Sequence, residues 1–145
     1  MIGTFTVDAS VFLNAFNPYE TGYAESHRLL ADLQSQALPI IVPTLLLTEA
    51  AAAIARGRDD ADLARAFTAA LRRLPHLVWV SVDATLAQQA ADIAAQHRLR
   101  GSDAVYVAVA VRFGSTLITL DREQRERTAD VIVARYPTEV LAGAD

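Results

Sequence analysis

Short apolar runs rich in β-branched residues alternate along this chain with longer segments whose apolar residues recur at helical spacing. The short runs are predicted strands, at residues 4–7, 39–42, 77–82, 116–120 and, shorter and nearer the sheet edge, 131–134. The longer segments are predicted helices, at residues 23–36, 44–56, 60–74, 84–98 and 103–113. Strands and helices that alternate in this way form a mainly parallel sheet of four to five strands covered by helices on both faces. At 145 residues the chain suits one such α/β domain, which we assign to residues 1–145.

Four carboxylates stand alone in sequence that should be mostly buried. Asp8 is the first charged side chain and follows the first predicted strand, and Glu49 lies within the apolar segment PTLLLTEAAAAIA. Asp103 begins an apolar helix, and Asp121 ends the run FGSTLITLD. In a parallel α/β fold, the carboxyl ends of the strands and the starts of the following helices share one edge. We therefore expect the four acids to converge on one crevice.

A cluster of carboxylates needs a compensating partner. Like charges repel, and taking an ionised carboxylate out of water is costly unless an arginine, hydrogen-bond donors or a metal ion offset the loss of hydration. Mg²⁺ prefers oxygen ligands and usually keeps waters and substrate phosphates among them. A metal held by four acids would suit the hydrolysis of phosphodiester bonds.

Each acid also has an ordinary structural interpretation. Asp8 and Asp121 could cap the helices that follow them, and Asp103 could favour a helix N-terminus through the helix dipole. Glu49 lies inside its helix, so capping does not explain it, and a buried arginine partner is the structural alternative. Asp83, between a predicted strand and a predicted helix, is expected to be only an N-cap.

Composition excludes several kinds of chemistry. All 13 basic residues are arginine and cysteine is absent, which excludes lysine-dependent sites and thiolate zinc sites. The net charge of −4 argues against broad electrostatic binding of nucleic acid. However, the 17 acids less the four isolated ones equal the 13 bases, so the excess negative charge is consistent with one local site.

Nothing in the sequence predicts secretion or membrane insertion. The N-terminal residues MIGTFTVDAS lack the basic and apolar regions of a signal peptide. No apolar run approaches the length of a membrane span. We therefore expect a soluble cytoplasmic protein.

The order of the acids, Asp8, Glu49, Asp103 and Asp121, resembles that of the PIN-domain ribonucleases, most closely the VapC-type toxins of type II toxin–antitoxin systems. The matching stretches are TVDASVFLNAF, TEAAAAIAR, LRGSDAVYVAVA and LITLDRE, which span nearly the whole chain. The resemblance implies a PIN-like α/β/α sandwich and an endoribonuclease that uses Mg²⁺ or Mn²⁺ to cut RNA and leave a 5′-phosphate. It makes all four acids catalytic residues and metal ligands.

The resemblance also implies roles for hydroxyl groups near the acids. Ser10 and Thr119 match small polar residues that orient the carboxylates or the attacking water, and Thr48 is a further candidate for this role. The chain departs from many relatives because it has no clear aromatic residue after Asp121. The packing of the residues after Asp121 is therefore not predicted, whereas the assignment of Asp121 to the set of four acids is unaffected.

Arginines close to the acids are candidate contacts for substrate phosphates. Arg98 and Arg100 come just before Asp103, at the expected rim of the crevice, and Arg122 directly follows Asp121. Arg122 equally suits a solvated helix face balanced by nearby glutamates.

The family resemblance implies two partners besides RNA. One is a cognate VapB-like antitoxin, for which the helix at residues 23–36 and the loop before it are candidate docking elements; the other is a second copy of the chain in a homodimer. A catalytically inactive PIN-like module that binds RNA or protein is the alternative function. Other phosphoryl-transfer folds fit poorly, because a receiver domain needs a lysine and a haloacid-dehalogenase-like phosphatase needs an aspartate where Ser10 stands.

Overall fold

Five short strands form the centre of the molecule. They are β1 (Phe5–Val7), β2 (Ile40–Pro43), β3 (Leu77–Val80), β4 (Thr116–Ile118) and β5 (Ala134–Arg135). In the computed structural model, which describes residues 1–143, they pair in parallel in the order β3-β2-β1-β4-β5. The first strand of the chain is therefore the central one, between β2 and β4.

Eight helices flank this sheet in the part of the chain that the structure describes. They are α1 (Ala9–Phe16), α2 (Tyr23–Ser35), α3 (Leu45–Arg58), α4 (Ala61–Arg73), α5 (Ala84–His97), α6 (Gly101–Phe113), α7 (Arg122–Arg127) and α8 (Pro137–Leu141). The predicted fold, a single α/β domain with a parallel sheet between helices, is confirmed. Within residues 1–143, no helix combines the length and apolar character needed to cross a bilayer.

Several strand boundaries differ from the prediction; β4, for example, ends at Ile118 rather than at residue 120. The fifth strand was expected at residues 131–134, but Val131 and Ile132 form a turn in which their N–H groups donate to the carbonyl of Thr128, at 2.9 and 3.1 Å. The strand therefore begins only at Ala134. The third strand ends two residues earlier than expected, because the chain leaves the sheet to reach Asp83, which caps α5 by accepting from Leu86 N at 2.8 Å. The prediction that Asp83 is an N-cap is confirmed.

The position of α6 explains its apolar sequence. Tyr106, Val107 and Ala110 of this helix join the larger apolar core, which includes the central strands. Ala104 and Ala108 join a second core cluster with α5 and the β2–β3 side of the sheet. A helix that is buried on more than one side needs apolar residues around most of its circumference.

A paired arginine and glutamate fasten α7 to α8. Arg125 donates from Nε to Glu139 Oε1 at 2.7 Å and from Nη2 to Oε2 at 2.6 Å, and Tyr136 N donates to the same carboxylate at 2.9 Å. The bonds from Arg125 are the main cause that lowers the pKa of Glu139 to about 2. Two parallel bonds of this kind give the pair a fixed geometry.

Glu139→Gln is expected to lower the free energy of unfolding at pH 7 by about 1 kcal/mol, a value kept small because the pair is partly exposed. A carboxyl whose pKa is lowered by folding stabilises the native state only while it is ionised. The difference between wild type and variant should therefore be complete above pH 4.5 and shrink as the pH falls towards 2. Urea unfolding between pH 7 and pH 3 measures this difference, and a difference independent of pH would contradict the ion-pair explanation.

Candidate active site

The ends of two adjacent strands bring Asp8 and Asp121 to one edge of the sheet. Val7 of β1 pairs in register with Ile118 of β4, and Asp8 N donates to the carbonyl of Ile118 at 2.9 Å. Asp8 is the N-cap of α1, and Asp121 is the N-cap of α7. Both are thus true helix caps, as the structural interpretation had it, and both also face the same edge.

The other two acids approach this edge from helices. Glu49 lies in α3, and Asp103 lies in the first turn of α6. Burial is the largest cause that raises the pKa of Asp8, Glu49 and Asp103. The charge of Asp103 further raises the pKa of Asp8, the charges of both raise that of Glu49, and the charge of Asp121 raises that of Asp103. The structure therefore brings all four acids into one interacting cluster.

Two hydroxyl groups fix the buried carboxylate of Asp8. Ser10 Oγ donates to Asp8 Oδ2 at 2.6 Å and accepts from Leu120 N at 3.2 Å. Thr119 Oγ1, which is fully buried, lies 3.2 Å from the same oxygen of Asp8. The two residues expected to orient carboxylates thus contact the most buried acid of the cluster.

Gln124 is a site residue that the sequence analysis missed. Its side chain is completely buried, with Oε1 2.7 Å from Thr119 Oγ1 and Nε2 donating to the carbonyl of Asp103 at 3.2 Å. Its backbone N donates to Asp121 Oδ1 at 3.0 Å. The charged sequence REQRER is typical of a solvated helix. However, a glutamine three residues after an N-cap is also typical of a helix start in which the side chains of the N-cap residue and the glutamine are both fixed by hydrogen bonds. That spacing could have identified Gln124.

Glu49 has a buried oxygen without a partner. Glu49 Oε1 makes no hydrogen bond in residues 1–143, and no arginine of that range forms an ion pair with Glu49. The buried arginine partner proposed as the structural alternative for Glu49 is therefore absent from the described residues. The completely buried hydroxyl of Tyr106 lies beside Glu49 and also lacks a hydrogen bond of good geometry. Sequence reasoning missed Tyr106, because an aromatic residue in an apolar helix is usually core.

Tyr106→Phe is expected to raise the free energy of unfolding by about 1 kcal/mol in metal-free buffer, because it removes a buried hydroxyl that has no partner. Thermal and urea unfolding in EDTA measure this change. Tyr23→Phe, at a half-buried tyrosine on α2, serves as a control and should leave stability nearly unchanged. A loss of stability greater than about 1 kcal/mol in Tyr106→Phe would show that this hydroxyl donates a hydrogen bond to Glu49.

Of the three candidate arginines, the structure brings Arg100 onto the acids. Arg100 Nε donates to Asp103 Oδ2 at 3.0 Å, and its Nη2 pairs with Asp121 Oδ2. Arg122 pairs instead with a glutamate one turn along α7, so the surface-helix interpretation describes it. Arg98 is exposed at the end of α5 and makes no side-chain ion pair within residues 1–143.

The structure does not bring Thr48 to the acids. Thr48 is exposed and lines a shallow groove between α3 and α4 together with Ala51, Thr68 and Arg72. Successive residues of a helix point about 100° apart. Thr48 therefore faces away from the cleft towards which its neighbour Glu49 points.

The donor chemistry of the cluster fits a divalent metal ion. All four side chains offer carboxylate oxygens, the ligands that Mg²⁺ and Mn²⁺ favour, and Glu49 has an oxygen free of other bonds. Within residues 1–143, however, no three acid or histidine side chains are gathered in a metal-binding arrangement. Asp103 and Asp121 each turn an oxygen towards Arg100.

Comparison with known proteins relates this chain to one family. The PIN domain family model matches residues 5–129. No sequence among curated proteins matches this chain.

Solved structures share the fold at low sequence identity. VapC20 of Mycobacterium tuberculosis, a sarcin–ricin loop cleaving toxin, is 22% identical with a TM-score of 0.72 over 89% of this chain and 96% of that one. VapBC2 from Rickettsia felis, bound to a DNA fragment from its promoter, is 10% identical with a TM-score of 0.69 over 92% and 98%. A toxin–antitoxin complex from Klebsiella pneumoniae is 16% identical with a TM-score of 0.63 over 91% and 96%.

Proposed function

Because this chain belongs to the PIN domain family, we propose that it is a Mg²⁺- or Mn²⁺-dependent endoribonuclease, a toxin of the VapC type held in check by a VapB-like antitoxin. The observation that supports this most is Glu49, whose buried Oε1 makes no hydrogen bond and which forms no ion pair with an arginine of residues 1–143. An acid kept for structure is normally paired when it is buried. A half-buried acid whose buried oxygen makes no hydrogen bond, near two other acids, suits the binding of a cation.

RNA is the proposed substrate. The structural relative from Mycobacterium tuberculosis is a sarcin–ricin loop cleaving toxin, and it covers nearly the whole of this chain. Arg100 places one guanidinium at the rim of the acid cluster, where a phosphate of a nucleic acid would pass. A cluster of acids that holds a divalent ion, with arginine nearby, suits the hydrolysis of a phosphodiester bond.

The residues of this chain would hold the reacting groups in place. A bound metal ion would supply an activated water and offset negative charge on the leaving oxygen. Ser10 and Thr119 hold the Asp8 carboxylate in one orientation through their hydroxyl groups. Gln124 connects Thr119 to the start of α6 and so fixes the position of Asp103. Such supporting contacts are typical of carboxylates that bind metals.

An apolar groove suits the proposed antitoxin. The groove, of about 540 Å³, lies between α1, α2 and α4, and its walls include Phe12, Phe16, Leu30, Phe67 and Leu74. The helix at residues 23–36, expected from the sequence to bind the partner, forms one wall as α2. Grooves of this kind accept the apolar face of an amphipathic helix. The relatives from Rickettsia felis and Klebsiella pneumoniae were solved as toxin–antitoxin assemblies.

Cleavage of labelled RNA by the purified chain, free of antitoxin, tests the proposed activity. We expect cleavage with Mg²⁺ that leaves a 5′-phosphate, stops in EDTA and returns when Mn²⁺ or Mg²⁺ is added in excess. Glu49→Gln, which keeps the shape of the side chain but not its charge, should lose this cleavage. Absence of cleavage over varied RNAs, including a sarcin–ricin loop, would favour the alternative of an inactive PIN-like module that binds RNA or protein.

Homodimerisation and a cytoplasmic location belong to the same proposal. Light scattering of the purified protein measures the first, and fractionation of cells that express it measures the second. A monomer at micromolar concentration would contradict the dimer and leave the proposed nuclease activity unaffected.

A further inference from the structure

Arg100 joins two acids that come from different parts of the fold. Its Nε lies 3.0 Å from Asp103 Oδ2, one turn further along α6, and its Nη2 pairs with Asp121 Oδ2 at the start of α7. The two acids are only 13% and 22% exposed, so this guanidinium is the cation in contact with them. Asp8 and Glu49, by contrast, form no ion pair with an arginine of residues 1–143. Arg100 thus supplies one positive charge to two acids of the cluster, and no arginine of residues 1–143 forms an ion pair with the other two.

The ion pairs that Arg100 forms with Asp103 and Asp121 are of a kind that can break. The Arg100 side chain is 68% exposed. Ion pairs at this exposure are weak, because water and salt compete for both partners. A divalent cation carries twice the charge of a guanidinium and binds carboxylate oxygens directly, so it can displace Arg100.

We propose, in an inference that rests on the proposed function, that Arg100 acts as a counter-cation supplied by the chain itself. It forms ion pairs with Asp103 and Asp121 until a divalent metal ion displaces it. One oxygen of each acid faces Arg100, so the guanidinium occupies oxygens that a metal ion would otherwise bind. Arg100 therefore competes with the metal and lowers its affinity.

Titration with Mn²⁺ in the absence of RNA tests this competition. Free Mn²⁺ is followed by electron paramagnetic resonance at fixed pH and ionic strength, for wild type, Arg100→Gln and Arg98→Gln. Arg100→Gln is expected to bind Mn²⁺ about 5-fold more tightly than wild type. Arg98→Gln removes the same charge at a position two residues before Arg100. Arg98 is exposed and forms no ion pair within residues 1–143, so the Kd of this variant for Mn²⁺ should change by less than about 2-fold. Arg100→Lys keeps the charge but not both contacts and should lie between the two.

The outcomes separate this inference from the proposed function. If wild type binds Mn²⁺ and Arg100→Gln binds it no more tightly than Arg98→Gln does, Arg100 does not compete with the metal, and the proposed nuclease site still stands. If neither wild type nor the variants bind Mn²⁺, both the inference and the proposed function are wrong. Thermal unfolding in EDTA checks that all three variants are folded, and Arg100→Lys provides the comparison if Arg100→Gln is not.

Discussion

Asp8→Asn is expected to remove metal-dependent RNA cleavage, with a loss of at least about 100-fold, and to raise the Tm measured in EDTA by a few degrees. Asparagine keeps the shape of the side chain and an oxygen that accepts the bond from Ser10, but it does not carry the charge that a metal ion needs. Without metal, the ionised carboxylate of Asp8 is a cost, because it is 5% exposed and lies near Asp103. Cleavage rates with saturating Mg²⁺ and calorimetry in EDTA measure the two effects.

The pH dependence of the Asp8→Asn effect has a definite sign. Burial, together with the charge of Asp103, raises the pKa of Asp8 above its ordinary value of 3.8. A carboxyl whose pKa is raised by folding destabilises the native state as the pH rises above the value of the unfolded chain. The gain in Tm should therefore be largest near pH 7 and shrink towards pH 4.

Asp83→Asn is the matched control for Asp8→Asn. Asp83 also caps a helix, accepting from Leu86 N at 2.8 Å, but it is exposed and takes no part in the acid cluster. Both its Tm and its cleavage rate should stay close to wild type. A fall in the EDTA Tm of Asp8→Asn would mean that Asp8 acts mainly as a hydrogen-bonded cap. Asp103→Asn is a less direct test, because it also breaks the contact with Arg100.

Gln124→Ala is expected to lower the free energy of unfolding by about 3 kcal/mol and the Tm by about 10 °C. The substitution leaves a cavity where a completely buried side chain stood, and it removes the partner of the Asp103 carbonyl and of Thr119 Oγ1. Because Thr119 contacts Asp8, cleavage at saturating Mg²⁺ should also fall by about 10- to 100-fold. Urea unfolding and single-turnover cleavage measure these effects.

Gln124→Met separates the packing role of this side chain from its hydrogen bonds. Methionine fills a similar volume but offers neither the amide donor nor the carbonyl acceptor. We expect it to recover about half of the lost stability and little of the lost cleavage. If Gln124→Ala costs less than about 1 kcal/mol, the buried amide does not hold the site together as the structure suggests.

The sequence predicts the fold and the acids well because both depend on pattern. Apolar runs of strand length between helical segments require a parallel sheet, and such a sheet brings the ends of β1 and β4 to one edge. The isolation of Glu49 in an apolar helix indicates an unusual role, and in the structure its buried oxygen has no partner within residues 1–143. The exact end of a strand such as β5 depends on a turn around Thr128 that has no clear sequence pattern.

What the sequence cannot predict are the partners of each side chain across the fold. Arg100 and Arg122 both stand near an acid in the sequence, yet Arg100 bridges two acids and Arg122 pairs with its own helix. Gln124 resembles its charged neighbours but points inwards, because Asp121 sets the start of α7 and so fixes which face of the helix is buried. Thr48 is next to Glu49 in the sequence and was therefore expected near the acids. Neighbouring residues of a helix face different directions, so Thr48 lies on another face of α3 from Glu49.

The contact between Thr119 and Asp8 joins residues 111 positions apart in the sequence. The central strand β1 also has both its neighbours only after β4 has been made and has paired with it. A ribosome makes the first strand long before the fourth, so for much of its synthesis a nascent chain carries Asp8 without Thr119, Asp103 or Asp121. For a chain with the proposed activity, the four-acid site therefore cannot assemble until residues up to Asp121 have been made. The order in which the strands are made thus delays the proposed activity until the central strand β1 has its second neighbour, β4.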